Sequence, residues 1–292
     1  PLSAEYPFLR DGLVVFTFFH LAAHPALADE ILKSGTTAIA YETVEREGGA
    51  LPILSPMSEV AGRLAVLSGA HYLMKPYGGR GVLLSGVPGV ECGVVAIAGA
   101  GSVGQNAARI AVGLGAEVIA IDTRIEGLRR MEDLFGARVK TMSSNAHNIE
   151  HALSRCDLFV GAVHLPGART PRLVTRNMLK LMKKGSVIVD VSVDQGGCVE
   201  TIRPTTHSEP VYEVDGIIHY GVANMPGAVP RTATFALTNA TLPYLLLLAS
   251  KGVAGAARVD GSLKRGINIL NGELVHPCVA EALSMRCARL DL

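Results

Sequence analysis

Short apolar runs, rich in valine and isoleucine and bounded by turn residues, recur through the middle of the chain. Val94 to Ala98, Glu117 to Ile121, Asp157 to Val163, Ser186 to Val191 and Gly216 to His219 read in this way as buried parallel strands. Between them, Gly104 to Leu114 and Ile125 to Leu134 have the pattern of helices. This βαβ succession predicts an α/β protein with a doubly wound sheet. Two longer helical windows flank it. Pro56 to Met74 starts from Ser55 and Pro56, a plausible N-cap and first-turn proline. Arg231 to Ser250 is expected to kink or break at Pro243. Gly78, Gly79, Gly81, Gly86 and Gly89, with Pro76 and Pro88, make the passage into the first strand a surface connection.

At 292 residues the chain is long enough for two domains. The simplest arrangement is a Rossmann-type domain over residues 54–230, inserted into a second α/β domain built from residues 1–53 and 231–292. Apolar residues make up 49% and charged residues 18%, so a sizeable core can be buried. Lys plus Arg number 27 and Asp plus Glu 26, and a net charge of +1 offers no footprint for nucleic acid or an anionic membrane. The expected partner is a small molecule. Five cysteines without a C-x-x-C pair or zinc spacing read as reduced thiols of a cytoplasmic protein, with no metal site. The apolar stretch Gly12 to Ala28 is interrupted by His20, His24 and Pro25 and falls short of a membrane span. No signal peptide is visible, and the chain starts at Pro1 without an initiator methionine.

The first strand runs into Gly99-Ala100-Gly101-Ser102-Val103-Gly104, a G-x-G-x-x-G sequence. Gly99 permits the tight turn, Gly101 lets backbone approach a pyrophosphate, and Gly104 lets the next helix pack on the strand. The helix then presents free N–H groups to the phosphates. Alone, the motif is weak. Its place between strand and helix, followed by Asp122 at the end of the second strand, makes it a dinucleotide site. Asp122 would accept from the ribose hydroxyls and repel a 2′-phosphate, favouring NAD over NADP. Arg124 reads either as a partner for such a phosphate or as a solvated arginine.

Ligands of open α/β sheets bind at the carboxyl ends of strands. Asp194, in the loop after Ser186 to Val191, and Asn224, after His219, lie at such ends, although each alone could be a turn residue. His20, within Phe16-Thr17-Phe18-Phe19-His20-Leu21, would by itself read as a core histidine. No G-x-S-x-G elbow supports hydrolase chemistry.

Longer stretches carry a resemblance. Ala38 to Val44, Ser55 to Arg63, Gly79 to Leu84, Asp194 to Glu200, Arg203 to Ser208, Ala223 to Thr232 and Phe235 to Thr241 resemble bacterial alanine dehydrogenases. Their family also contains the NAD-binding domain of proton-translocating transhydrogenase. The resemblance covers almost the whole chain. It implies that His20 and Asp194 are the catalytic proton-transfer pair. It also implies that Ser58, Asp122, Ser144, Val163, His164, Val191, Ser192, Val193, Asp194, Ala223, Asn224, Met225 and Pro226 touch NAD, beside Gly99, Gly101, Ser102, Val103 and Gly104 of the glycine motif.

The implied reaction is reversible oxidative deamination of L-alanine to pyruvate and ammonium, by a homo-oligomer, a hexamer in this family. Relatives carry an upstream segment with an arginine and a lysine for the substrate carboxylate, so the chain as given is expected to bind NADH better than it turns over alanine. Phe18 stands where a tyrosine is frequent, and Gly127 where some members have lysine. The alternatives are a transhydrogenase NAD-binding subunit and a catalytically impaired NAD-binding fragment.

Overall fold

The computed structural model describes residues 1–163 and 170–292. The chain divides into two units, Pro1–Met57 with Arg231–Leu292, and Ser58–Pro230. The first begins with β1 (Val14–Thr17), α1 (Pro25–Ser34) and β2 (Thr37–Ala40), the two strands lying parallel. Pro25 occupies the first helical position of α1, where its missing N–H costs nothing, and Gly35 ends the helix in the left-handed conformation. Helix α2 (Leu54–Tyr72) leads into the second unit.

That unit runs β3 (Val94–Ala98), α3 (Ser102–Gly113), β4 (Glu117–Asp122), α4 (Ile125–Phe135), β5 (Val139–Ser143), α5 (Ala146–Arg155), β6 (Leu158–Gly161), β7 (Val187–Asp190), β8 (Val211–Val214) and β9 (Ile217–Tyr220). The seven strands lie in the order β5-β4-β3-β6-β7-β9-β8. All neighbours are parallel except β8, which is antiparallel to β9. The winding reverses beside β3, and such a switch point leaves a crevice outside the carboxyl ends of the strands. Alternate strand residues feed two cores. Val95, Ile97, Val118 and Val160 pack with residues of α2, α3 and α4, whereas Ala96, Ile119, Phe159 and Ile188 pack with residues of α5. Burial on both faces is why these strands are apolar at nearly every position.

The chain then returns to the first unit through α6 (Pro230–Val259), α7 (Gly261–Gly266), β10 (Ile267–Leu270), β11 (Glu273–Leu274) and α8 (Pro277–Leu283). Strand β10 pairs antiparallel with β2 and with β11, giving a four-stranded sheet in the order β1-β2-β10-β11. The α/β class and the parallel, doubly wound sheet expected from the sequence are present. At Pro243, where a kink or break is expected, the helix does not break. Helix α6 runs through Pro243 and turns instead at Gly252, with φ 66° and ψ 178°. A proline forfeits one backbone hydrogen bond, which the apolar helix-forming residues on either side outweigh; the Gly252 conformation is one that side chains resist. Strand ends also differ: Asp157 and Ser186 precede their strands, and Ala162 and Val163 follow theirs.

Backbone packs closely on backbone at the start of α3. A Cβ added at Gly104 would fall on the carbonyl oxygen of Gly99, whereas one at Gly113, at the end of the same helix, meets nothing within 4 Å. Gly104→Ala is therefore expected to lower the unfolding free energy by about 2 kcal/mol or more through overpacking. Gly113→Ala should raise it by about 0.5 kcal/mol through helix propensity. Urea unfolding followed by circular dichroism checks both. Equal midpoints for Gly104→Ala and the parent chain would show that the turn yields to a methyl group.

Candidate cofactor and active site

The three motif glycines occupy different environments. Gly99 has φ +110°, and a Cβ there would strike the carbonyl of Ala162; Gly104 is pressed on Gly99. A Cβ at Gly101 would meet only Arg124 Nη2, 4.0 Å away. Gly99 and Gly104 are thus bare because protein fills the space, and Gly101 is bare facing open space. That is the cradle a pyrophosphate needs. Gly101 is also the N-cap of α3 without a side-chain hydrogen bond, so the first-turn N–H groups at Ser102 and Val103 have no side-chain cap. With the positive end of the helix dipole, they suit an anion.

Asp122 ends β4, buried, and its carboxylate accepts from Ala100 N at 2.7 Å and from Arg124 N at 2.8 Å. It thereby ties the glycine turn to the neighbouring strand. Arg124 Nε lies 3.6 Å from Asp122 Oδ1, so the guanidinium stands beside both the acid and the glycine turn. Ser144 follows β5, and its N–H donates to the Asp122 carbonyl at 2.9 Å. Ser58 lies near the start of α2, one turn before Gly62. A Cβ at Gly62 would strike the Val103 carbonyl, and Arg63 Nε donates to Asn106 Oδ1 at 3.0 Å, so this face of α2 is held against the start of α3.

The remaining sequence-predicted residues of the second unit lie at the other strand ends. After β6, the carbonyl of Val163 accepts from Ser192 Oγ at 2.7 Å; His164 lies outside the described residues. After β7, Val191–Gln195 form a 3-10 turn that buries Ser192 and Val193 and exposes Asp194. Asp190, 1% exposed, accepts from Ser192 N at 3.0 Å, Cys198 N at 2.7 Å and Val199 N at 3.1 Å. Burial pushes its carboxyl above the ordinary range, and the three N–H groups oppose that rise. After β9, Asn224 adopts a left-handed conformation and its carbonyl accepts from Gly227 N at 2.9 Å and pairs with His207 Nε2 at 3.1 Å. Ala223 is exposed, while Met225 and Pro226 are buried beneath the turn.

His20 belongs to the first unit. It is exposed rather than a core residue, with φ 51° and ψ 42°, and its ring stacks on Phe18 at 5.7 Å between centroids. Glu42 holds it there by accepting from His20 N at 2.7 Å and Phe19 N at 3.3 Å. Phe18 in turn meets Tyr41 edge-on at 5.1 Å. Sequence reasoning overlooked Glu42 and Asp190. Glu42 stands in a stretch that carried the resemblance, and Asp190 is a carboxylate closing an apolar strand; neither has a motif that announces its main-chain partners. Among the described residues, no group of three or more His, Cys, Asp or Glu is placed to hold a metal ion.

The chain is similar along most of its length to proteins of one kind. Residues 1–61 match the N-terminal domain of the alanine dehydrogenase/PNT family, and residues 65–277 match its C-terminal domain. An alanine dehydrogenase of Bacillus subtilis is 55% identical over 284 residues, covering 97% of this chain and 75% of the relative. One from Mycolicibacterium smegmatis is 52% identical, covering 98% and 77%. Among solved structures, an L-alanine dehydrogenase superposes with a TM-score of 0.92 at 52% identity, over 97% of this chain and 78% of that one. A transhydrogenase from Sinorhizobium meliloti gives 0.77 at 26% identity, over 95% and 77%. Matched in both domains and more than half identical to such relatives, the chain belongs to the alanine dehydrogenase/PNT family.

Proposed function

We propose that the chain is an NAD-dependent alanine dehydrogenase, catalysing reversible oxidative deamination of L-alanine to pyruvate and ammonium. Similarity above 50% to alanine dehydrogenases over nearly the whole chain carries the choice of substrate. The transhydrogenase reading is less favoured, at 26% identity to the solved transhydrogenase. The open cradle at Gly101, closed on either side by packed glycines, fits NAD. Gly99 to Gly104 would hold the pyrophosphate and Asp122 the ribose hydroxyls. Ser58, Ser144, Val163, Val191 to Asp194 and Ala223 to Pro226 would line the remainder. When bound, NAD supplies the hydride acceptor for the substrate Cα.

The protein's own part is proton transfer. His20 would take a proton from the substrate amino group, freeing the lone pair that forms the C=N bond as Cα is oxidised. With Asp194 it would then assist attack of water on the iminium, giving pyruvate and ammonium. A stacked ring and a backbone fixed by Glu42 limit the positions open to His20, which is what acid–base catalysis requires.

The enzyme is also proposed to be a cytoplasmic homo-oligomer, a hexamer by family resemblance. Helix α6 is long and apolar enough to cross a membrane by length and composition, with only 11% of its most apolar window buried. Its Tyr244, Ala256 and Ala257 nevertheless belong to the core of the first unit. Phe235, Leu242, Leu245 and Leu246 remain exposed, and a second copy is the cover this reading assigns them.

Three outcomes are expected. NADH should bind more tightly than NADPH in a fluorescence titration, and Asp122→Ser should narrow the gap by about tenfold, the scale of one charge-assisted contact. Comparable affinities in the parent protein would remove Asp122 as the selector. In the full-length gene product, His20→Ala should cut the rate of NADH formation from alanine by roughly 10²–10⁴ while NADH affinity stays nearly constant. Retained turnover would leave His20 without a chemical role. Leu246→Glu should lower the mass measured by light scattering, and an unchanged mass would place the oligomer contact elsewhere.

A further inference from the structure

Asp194 sits on a loop whose two ends are gripped by one buried group. Asp190 Oδ1 accepts from Ser192 N, at the start of the loop, and Oδ2 accepts from Cys198 N and Val199 N, after its end. The intervening segment is knotted by its own main chain: Gly196 N donates to the Val193 carbonyl and Gly197 N to the Ser192 carbonyl, both at 3.0 Å. Arg172 Nη1 holds the far side, donating to the carbonyls of Val199 at 2.6 Å and Gly197 at 3.2 Å. The pocket for the carboxylate is shaped by what its neighbours lack. A Cβ at Gly161 would come 2.8 Å from Asp190 Oδ1 and 2.5 Å from Cys198 Sγ, and one at Gly197 would come 2.8 Å from Oδ2.

Main-chain N–H groups converge on this carboxylate from both ends of a seven-residue turn, so moving the carboxylate moves the turn. A carboxyl group that served stability alone could be replaced by a neutral isostere with a modest, uniform loss. Asparagine cannot reproduce the grip. Its single acceptor serves one end of the loop, and its amide N–H₂ faces the N–H donors of the other.

We infer that Asp190 is a positioning residue for the dehydrogenase reaction, its carboxylate setting the location of Asp194 by clamping both ends of the Val191–Gly197 turn. This rests on the proposed catalytic role of Asp194. Asp190 is buried beneath the loop and acts through it.

The test is a double-mutant cycle in the full-length gene product, reading kcat and KM for alanine together with NADH affinity. Asp190→Asn is expected to lower kcat by roughly 10²-fold, the usual consequence of displacing a catalytic group by an ångström, with little change in KM for alanine. In an Asp194→Asn background the same change should lower kcat at saturating NAD by less than about threefold, because the catalytic group being positioned is already gone. A factor near 10² in both backgrounds, or full turnover by Asp190→Asn alone, would overturn the inference while leaving Asp194 catalytic. Parent-like turnover by Asp194→Asn would instead remove the catalytic reading, and with it the route through which Asp190 acts. Circular dichroism reports whether Asp190→Asn folds. If it does not, Gly161→Ala presses on the same carboxylate from the strand side, and the same non-additivity with Asp194→Asn is required of it.

Discussion

The contact on which the nucleotide-binding unit depends is the carbonyl of Gly99 against the bare Cα of Gly104. A strand can pass directly into a helix only if the turn is short, and a short turn brings backbone onto backbone. With no side chain at either position, α3 starts flush with the end of β3, and its uncapped N–H groups open onto the same space as Gly101. A similar economy recurs at Gly62, where α2 lies against the Val103 carbonyl. Small residues therefore set how close the helices come, and that closeness sets where an anion can sit.

A second device shapes the segments that carry the candidate residues of each unit. Among the carboxylates that accept from main-chain N–H groups are Asp122, from Ala100 and Arg124, Asp190, from Ser192, Cys198 and Val199, and Glu42, from Phe19 and His20. Each such bond contributes about 1.5–3 kcal/mol, and for the buried Asp122 and Asp190 this gain is opposed by a burial cost of several kcal/mol. What the arrangement yields is geometry. Each carboxylate shapes a segment that the functional reading uses, respectively the glycine turn, the Asp194 loop and the left-handed His20. For His20 and Asn224 the backbone is held in a region that non-glycine residues seldom enter, and such conformations persist where surrounding contacts over-determine them.

Much of the nucleotide-binding unit was legible in the sequence. Doubly buried strands must be apolar at successive positions, so β3, β4, β6, β7 and β9 showed themselves as short runs, and the switch from strand to helix was marked by three glycines with fixed spacing. Local chemistry determines those features, and neighbouring residues suffice to reveal them. Strand β5 was missed because it is mostly exposed, with Lys140, Thr141 and Ser143 facing out, and β8 because it lies at the sheet edge beyond β9.

Only the tertiary structure decided the rest. Glu42 reaches His20 across 22 residues, and Asp190 closes on Val199 across nine, distances over which no periodicity links donor to acceptor. His20 looked like a core histidine because its neighbours in sequence are aromatic, yet in the fold Phe19 is buried while His20 is turned out to solvent by its left-handed backbone. The path of α6 was likewise settled by context, continuing through Pro243 and turning at Gly252. The sequence by itself determined which segments could be strand, helix and phosphate turn, because those depend on near neighbours. Which carboxylate would grip which backbone N–H was decided by folding, because that pairing exists only once distant segments share a buried space.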